Sequence, residues 1–291
     1  MKRFFFTLAI IAVAAISAIA QNKLTKEYKF GKITSIEASS VYDIEVTQGN
    51  SGTVKVVYDE IFKDRLMVNY INGKLNLEVA STKMRNNNRN IEGIKVYLQM
   101  PTIENLDLSG ASSLKAMGSF KTDELDVELS GASSISGLVI SGNDLSLDCS
   151  GASTLNLKGD FKTIEAEISG ASEIVLNSNS TVFEGEFSGA STVKVYGDHK
   201  NTDVVCSGAS NLTLEGKTDY IKSVTTGASN LKAQEFTALN GYAQVSGASN
   251  AKVRCTGDLK IMVGRASKLT YYGNPNIINL NTDNNIKKGD D

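Results

Sequence analysis

The tetrapeptide Ser-Gly-Ala-Ser returns nine times, with few changes, about every 19 residues. Its alanine falls at Ala111, Ala132, Ala152, Ala171, Ala190, Ala209, Ala228, Ala248 and Ala266, at spacings of 21, 20, 19, 19, 19, 19, 20 and 18 residues. A fixed period in this range requires one supersecondary unit stacked on copies of itself.

Apolar and polar residues alternate around the motif. Leu125-Asp126-Val127-Glu128-Leu129 and Ile164-Glu165-Ala166-Glu167-Ile168 lie upstream, Leu155-Asn156-Leu157 and Val193-Lys194-Val195 downstream. A period of two predicts strands with one face buried, and no stretch of the repeats carries a helical apolar stripe. Glycine ends many units, as in Lys158-Gly159-Asp160 and Tyr196-Gly197-Asp198, which is turn chemistry. Strands recurring in one order, with no room for a crossover helix, coil into a parallel β-helix. The expected fold is all-β, a solenoid of about nine regular turns stacked about 4.8 Å apart. A variable period departs from the strict rung of about 18 residues in left-handed hexapeptide coils. Crossovers between β-strands prefer the right hand, so the coil is read as right-handed.

Stacking also accounts for the motif itself. Columns of alanine and serine imply that nothing larger fits, either inside or on a tightly turned corner. The even step from Leu108 to Leu114 leaves those two placements open. Asn211, Asn230 and Asn250 follow the motif in three successive turns, resembling the amide ladders that suit left-handed corners. Cys149 and Cys206 occupy the slot before the motif that Leu129, Ile168 and Phe187 fill elsewhere. Three turns put them about 14 Å apart, too far to bridge. With Cys255 they are read as buried free thiols.

Residues 1–20 read as a secretory leader: Lys2 and Arg3, the apolar run from Phe4 to Ile16, then Ala18-Ile19-Ala20 as the cleavage site. No cysteine follows to carry a lipid anchor, and no later segment is suited to span a membrane, so the expected setting is periplasm, cell surface or medium. Without the leader's two cations, 28 basic and 32 acidic residues leave a formal charge of −4. That excludes nucleic acid as the expected partner, because its recognition needs a basic stripe. The remainder, 21–291, reads as one β-helix domain. Within it 22–105 is an irregular β-rich cap with degenerate turns, 106–273 the regular coil, and 274–291 a C-terminal cap and tail. In the cap, Val68–Ile71 and Lys74–Leu77 flank Asn72-Gly73, a strong hairpin signal. Met84 to Asn90 reads as a polar loop.

Catalytic chemistry is thin. His199, the only histidine, sits in Gly-Asp-His-Lys and reads as an exposed turn residue. No catalytic residues are assigned and no cofactor is expected. The unusual surface is acidic. Asp107, Glu128, Asp148, Glu167 and Glu186 lie two before the first motif serine, and Asp126, Glu165, Glu184 and Asp203 lie four before it. All nine point outward from one sheet. Glu165, Glu167, Glu184 and Glu186 form the densest square, the candidate cation or ligand site, an oxygen-rich cluster of a kind that can hold Ca²⁺. The alternative is a solvated face that prevents aggregation. A basic column beyond the motif, Lys115, Lys194, Lys232 and Lys252, is sparser.

An export leader, the segment Val41-Tyr42-Asp43-Ile44-Glu45-Val46-Thr47-Gln48-Gly49, the Ser-Gly-Ala-Ser array and a closing Tyr272-Gly273-Asn274-Pro275 resemble the head GIN domain family. Its members carry the label of auto-transporter adhesins, many from Bacteroides-type bacteria, and the match spans the chain after the leader. The resemblance implies a right-handed parallel β-helix in a periplasmic, surface or secreted setting and supplies no catalytic motif, and the leading expectation is a binding module whose long faces contact a glycan or an envelope protein. Two other readings stand beside it. One is a structural or regulatory envelope protein. The other is a polysaccharide lyase, whose chemistry resembles carboxylates holding Ca²⁺ beside an arginine or lysine base. Outside the leader the arginines are Arg65, Arg85, Arg89, Arg254 and Arg265, none in a turn carrying the acidic face, and tryptophan is absent.

Overall fold

The apolar slot before each tetrapeptide forms one continuous column. Leu129, Cys149, Ile168, Phe187, Cys206, Thr225 and Val245 are neighbours on successive parallel strands. Each is at most 1% exposed. Burying each such aliphatic side chain contributes roughly 1.5–3 kcal/mol. This computed structural model describes residues 23–80, 93–280 and 285–290. The leader and the loop expected over 84–90 lie outside the described residues.

Each turn of the solenoid has an upstream strand, a corner at the tetrapeptide, a downstream strand and a short third side. Upstream strands such as Thr163–Ile168 pair in parallel with their counterparts, and so do downstream strands such as Glu173–Asn177. The corner resolves the question left open by parity. Glycine bends the chain, with Gly151 at φ 71° and Gly170 at φ 67°, a region favouring residues without a Cβ. A Cβ on Gly170 would lie 2.4 Å from the Gly151 carbonyl oxygen, which closes the slot to other residues. The next amide donates to the glycine carbonyl of the previous turn; Ala171 to Gly151 and Ala190 to Gly170 both measure 2.7 Å.

The alanine methyl faces solvent at Ala132, Ala152, Ala171 and Ala190, so a size limit expected of the alanine column does not apply. The last serine points inward, where its hydroxyl caps the carbonyl three residues earlier. Ser133 donates to the Ser130 oxygen at 2.8 Å and Ser172 to the Ser169 oxygen at 2.9 Å. Ser153 and Ser172 also meet through their hydroxyls at 3.0 Å. The bond to the carbonyl forms in some turns and not in others, since the Ser112 and Ser191 hydroxyls are buried without a partner, so the shared requirement of the slot is a small inward side chain.

The amide ladder forms. Asn230 donates to Asn211 Oδ1 at 3.1 Å and Asn250 to Asn230 Oδ1 at 3.4 Å. It runs along extended strands and not at a left-handed corner, because glycine takes that conformation.

Before the regular array, Ser35–Ala38 and Tyr42–Gln48 make a full extra turn, aligned on Asn105–Leu108 and Ser113–Met117. Ser40, at φ 108°, stands in the glycine position. Tyr42 fills the inward serine slot and donates its hydroxyl to the Glu78 carbonyl at 2.8 Å. Strand reversal then ends the stack. Lys23–Lys29 lies antiparallel on Thr53–Asp59, and Leu66–Ile71 antiparallel on Lys74–Val79 through Asn72 (φ 50°) and Gly73 (φ 89°). Beyond Gly273, in the expected cap and tail, Asn276–Asn279 and Ile286–Lys288 still add parallel strands to both sheets.

Candidate functional site

The acidic face assembles as the alternation requires. Asp107, Glu128, Asp148, Glu167 and Glu186 follow one another in register. The second column runs Asp126, Ser146, Glu165, Glu184, Asp203 and then Lys222. Glu165 thus pairs with Glu184 and Glu167 with Glu186, and with Asp203 and Lys222 they line a shallow depression of about 240 Å³. Lysines close both ends of the face. Lys74 meets Glu37 at 2.5 Å and Lys222 meets Asp203 at 2.7 Å. At Asp107, burial and then the Glu128 and Glu37 charges raise the pKa above its ordinary value. Among the described residues, no three His, Cys, Asp or Glu side chains converge as a metal site requires. Side chains of neighbouring parallel strands project side by side, whereas Ca²⁺ takes about six to eight converging oxygens.

A larger concavity lies where the third side meets the upstream sheet. Thr102, Glu104, Lys121, Asp123, Ser141 and Asn143 line a groove of about 890 Å³. Asn143 donates to Asp123 Oδ1 at 3.4 Å, and Asn105 Oδ1, also in the lining, is buried without a hydrogen-bond partner. Amide, carboxylate, hydroxyl and ammonium groups thus line the groove together, offering both donors and acceptors. The sequence reading missed this groove. Part of its signal was available, because Lys121, Asp123, Ser141 and Asn143 fall in the first two repeats, which at 21 and 20 residues exceed the common 19.

His199 departs from its expected place. It opens the strand His199–Cys206 and is only 4% exposed. Its ring stacks on Phe183 at 5.0 Å and tilts against Phe236 at 6.0 Å. Nδ1 lies 2.7 Å from Ser180 Oγ, and Nε2 is buried without a partner. A hydroxyl beside an imidazole is the geometry of an activated nucleophile. Here burial pushes the imidazole down to about 4, only partly offset by Asp198, which leaves a weak base packed as part of the core. The three cysteines are buried and unbridged, as expected.

A coil with laddered charge on its sides and a polar groove at one corner defines an extended, surface-presenting solenoid. The chain belongs to the family described as "Putative auto-transporter adhesin, head GIN domain", whose model matches residues 32–178 and 165–275. The two matches overlap inside one unbroken coil, as a self-similar array allows. Among solved structures, the chain is similar to a "putative adhesin" of Parabacteroides merdae, with 14% identity and TM-score 0.54 over 93% of this chain and 98% of that one. A "putative adhesin" of Parabacteroides distasonis gives 14% identity and TM-score 0.54 over 92% and 97%. A "putative lipid binding protein" of the same species gives 16% identity and TM-score 0.49 over 93% and 98%. At these identities the likeness is one of fold. None of the curated proteins compared with the chain matches it.

Proposed function

We propose that this protein is an exported, non-enzymatic adhesin module that holds a glycan of the cell envelope or its surroundings in the corner groove. The observation carrying this reading is the groove's lining. Asp123, Asn143, Lys121 and Ser141 place charged and neutral hydrogen-bonding groups side by side in a concavity of about 890 Å³. Ligand pockets span roughly 300–1,000 Å³. Membership of an adhesin family supports binding as the task. An envelope protein seated on the long faces is the second reading, favoured by the unbroken acidic ladder.

A glycan array, run with and without calcium, tests the proposal on the parent and on Asp123→Ala/Asn143→Ala. Hydrogen bonds to charged groups contribute about 1.5–3 kcal/mol, so the variant should lose tenfold or more in affinity. No retained glycan, or a variant that binds as the parent does, would refute the groove. Release of unsaturated products from a retained polysaccharide would establish a lyase instead.

A further inference from the structure

The two long sheets differ in charge on either side of the Gly-Ala corner: the upstream sheet is acidic, and the downstream sheet carries a central column of lysines with Glu173, Glu215 and Glu235 exposed in the columns beside it. On the upstream sheet, the nine carboxylates from Asp107 to Asp203 stand in two adjacent columns. Of the nine, Asp203 alone has an ion pair among the described residues. On the downstream sheet, Lys232 and Lys252 are register neighbours, and Lys115 and Lys194 occupy the same column nearer the N-terminal end. Thr270 follows Lys252 and pairs in turn with Lys287. From Lys194 to Lys287 the column holds no acid, and no ion pair among the described residues engages its lysines. Glu45, beside Lys115, is its one acid near the N-terminal end.

We infer that the acidic sheet of one molecule docks on the lysine column of a second copy of this chain. Complementary charge selects the partner, and the shared period of about 4.8 Å per turn fixes the match. Any two solenoids of this chain have the same rise, so carboxylates and lysines stay in step along the contact. A partner with another periodicity would drift out of step. The acids occupy turns from Asp107 to Asp203 and the cations are densest from Lys194 onward, so the copies sit offset along their axes. The contact uses different surfaces on the two molecules. It therefore leaves one acidic and one basic face open at the ends of any pair, and it extends into a lateral array. Asp126 lies in both the acidic sheet and the corner groove, and the substitutions used below leave it and the rest of the groove lining in place.

The test is sedimentation equilibrium of the purified protein at low and moderate salt. Screening shortens the reach of charge from ~30 Å at 10 mM to about 8 Å at 150 mM. The average mass should rise with protein concentration at low salt, and the apparent Kd should weaken about tenfold or more at moderate salt. Two charge-reversed variants sharpen the result: Glu165→Lys/Glu167→Lys/Glu184→Lys/Glu186→Lys and Lys194→Glu/Lys232→Glu/Lys252→Glu. Each alone should be monomeric, while their mixture retains a native pairing, the acidic sheet of the second variant on the lysine column of the first, and should associate. Glutamine replacements at the same positions serve if a reversed variant fails to melt cooperatively, and they should weaken association in the same direction. A parent that is monomeric at low salt, or association insensitive to salt and to these substitutions, would overturn the inference.

Discussion

Lowering the pH should loosen this fold through one residue, His199. Its imidazole is packed on Phe183 and against Phe236, its Nδ1 is engaged by Ser180, and its Nε2 has no partner. A proton added there creates a buried cation with little to neutralise it beyond Asp198, so burial lowers the pKa from 6.5 to about 4. The unfolded chain binds that proton more readily than the folded one. The stability contributed by the neutral ring is therefore fully present above about 6.5 and lost as the pH falls toward 4. That interval corresponds to roughly 3 kcal/mol. Urea unfolding at several pH values, in the parent and in His199→Gln, isolates this share from the carboxylates, which both proteins keep. The gap in unfolding free energy between parent and variant should shift by about 3 kcal/mol between pH 7 and pH 4, to the parent's disadvantage in acid. Because the chain has a single histidine, proton NMR of its ring reads the pKa without ambiguity. Parallel pH curves for the two proteins, or a ring that titrates near 6.5, would refute this reasoning.

The corner makes a paired prediction. Gly170→Ala, at φ 67° and against the Gly151 carbonyl, should cost about 1–3 kcal/mol in thermal or chemical unfolding, while Ala190→Leu, on the solvent side, should stay within about 0.5 kcal/mol. Burial pushes the thiols of Cys149 and Cys206 up to about 12, so a thiol reagent should label them only after denaturation, and mass spectrometry of the native protein should find no linkage among the cysteines. Millimolar CaCl₂ and NaCl at matched ionic strength should raise the melting temperature equally by screening the acidic face. A gain specific to calcium that disappears in Glu165→Gln/Glu167→Gln/Glu184→Gln/Glu186→Gln would establish a cation site there.

Much of this was legible because a stacked coil repeats its environment. The alternation in Ile164-Glu165-Ala166-Glu167-Ile168 fixed which side chains face in and which form the acidic columns, and the register follows. The asparagine ladder and the separated thiols came from the same counting. The corner was not legible, because two serines flank Gly-Ala and an even step fits a bent or a straight strand equally well. What turns the last serine inward is the bend at the glycine, after which its hydroxyl reaches the carbonyl three residues back in several turns, a feature of backbone geometry that residue identity does not display. His199 was misread because Gly-Asp-His-Lys has the composition of an exposed turn. Counting nine residues past the motif alanine gives Phe161, Ser180, His199 and Thr218, and this column faces inward. Phe161 in that slot was the available signal, and it would have placed the histidine correctly.

Distances between labelled corners test the central claim, that each tetrapeptide is one corner of a coil advancing about 4.8 Å per turn. The alanines face solvent, so Ala132→Cys/Ala228→Cys and Ala132→Cys/Ala266→Cys should each accept two spin labels while the native thiols stay unreactive. The first pair spans five turns and the second seven, for separations of about 24 Å and about 34 Å by pulsed electron resonance. A difference near 10 Å between the pairs, independent of label tether, is the predicted result. Equal separations, or distances that do not grow with the number of intervening tetrapeptides, would contradict it.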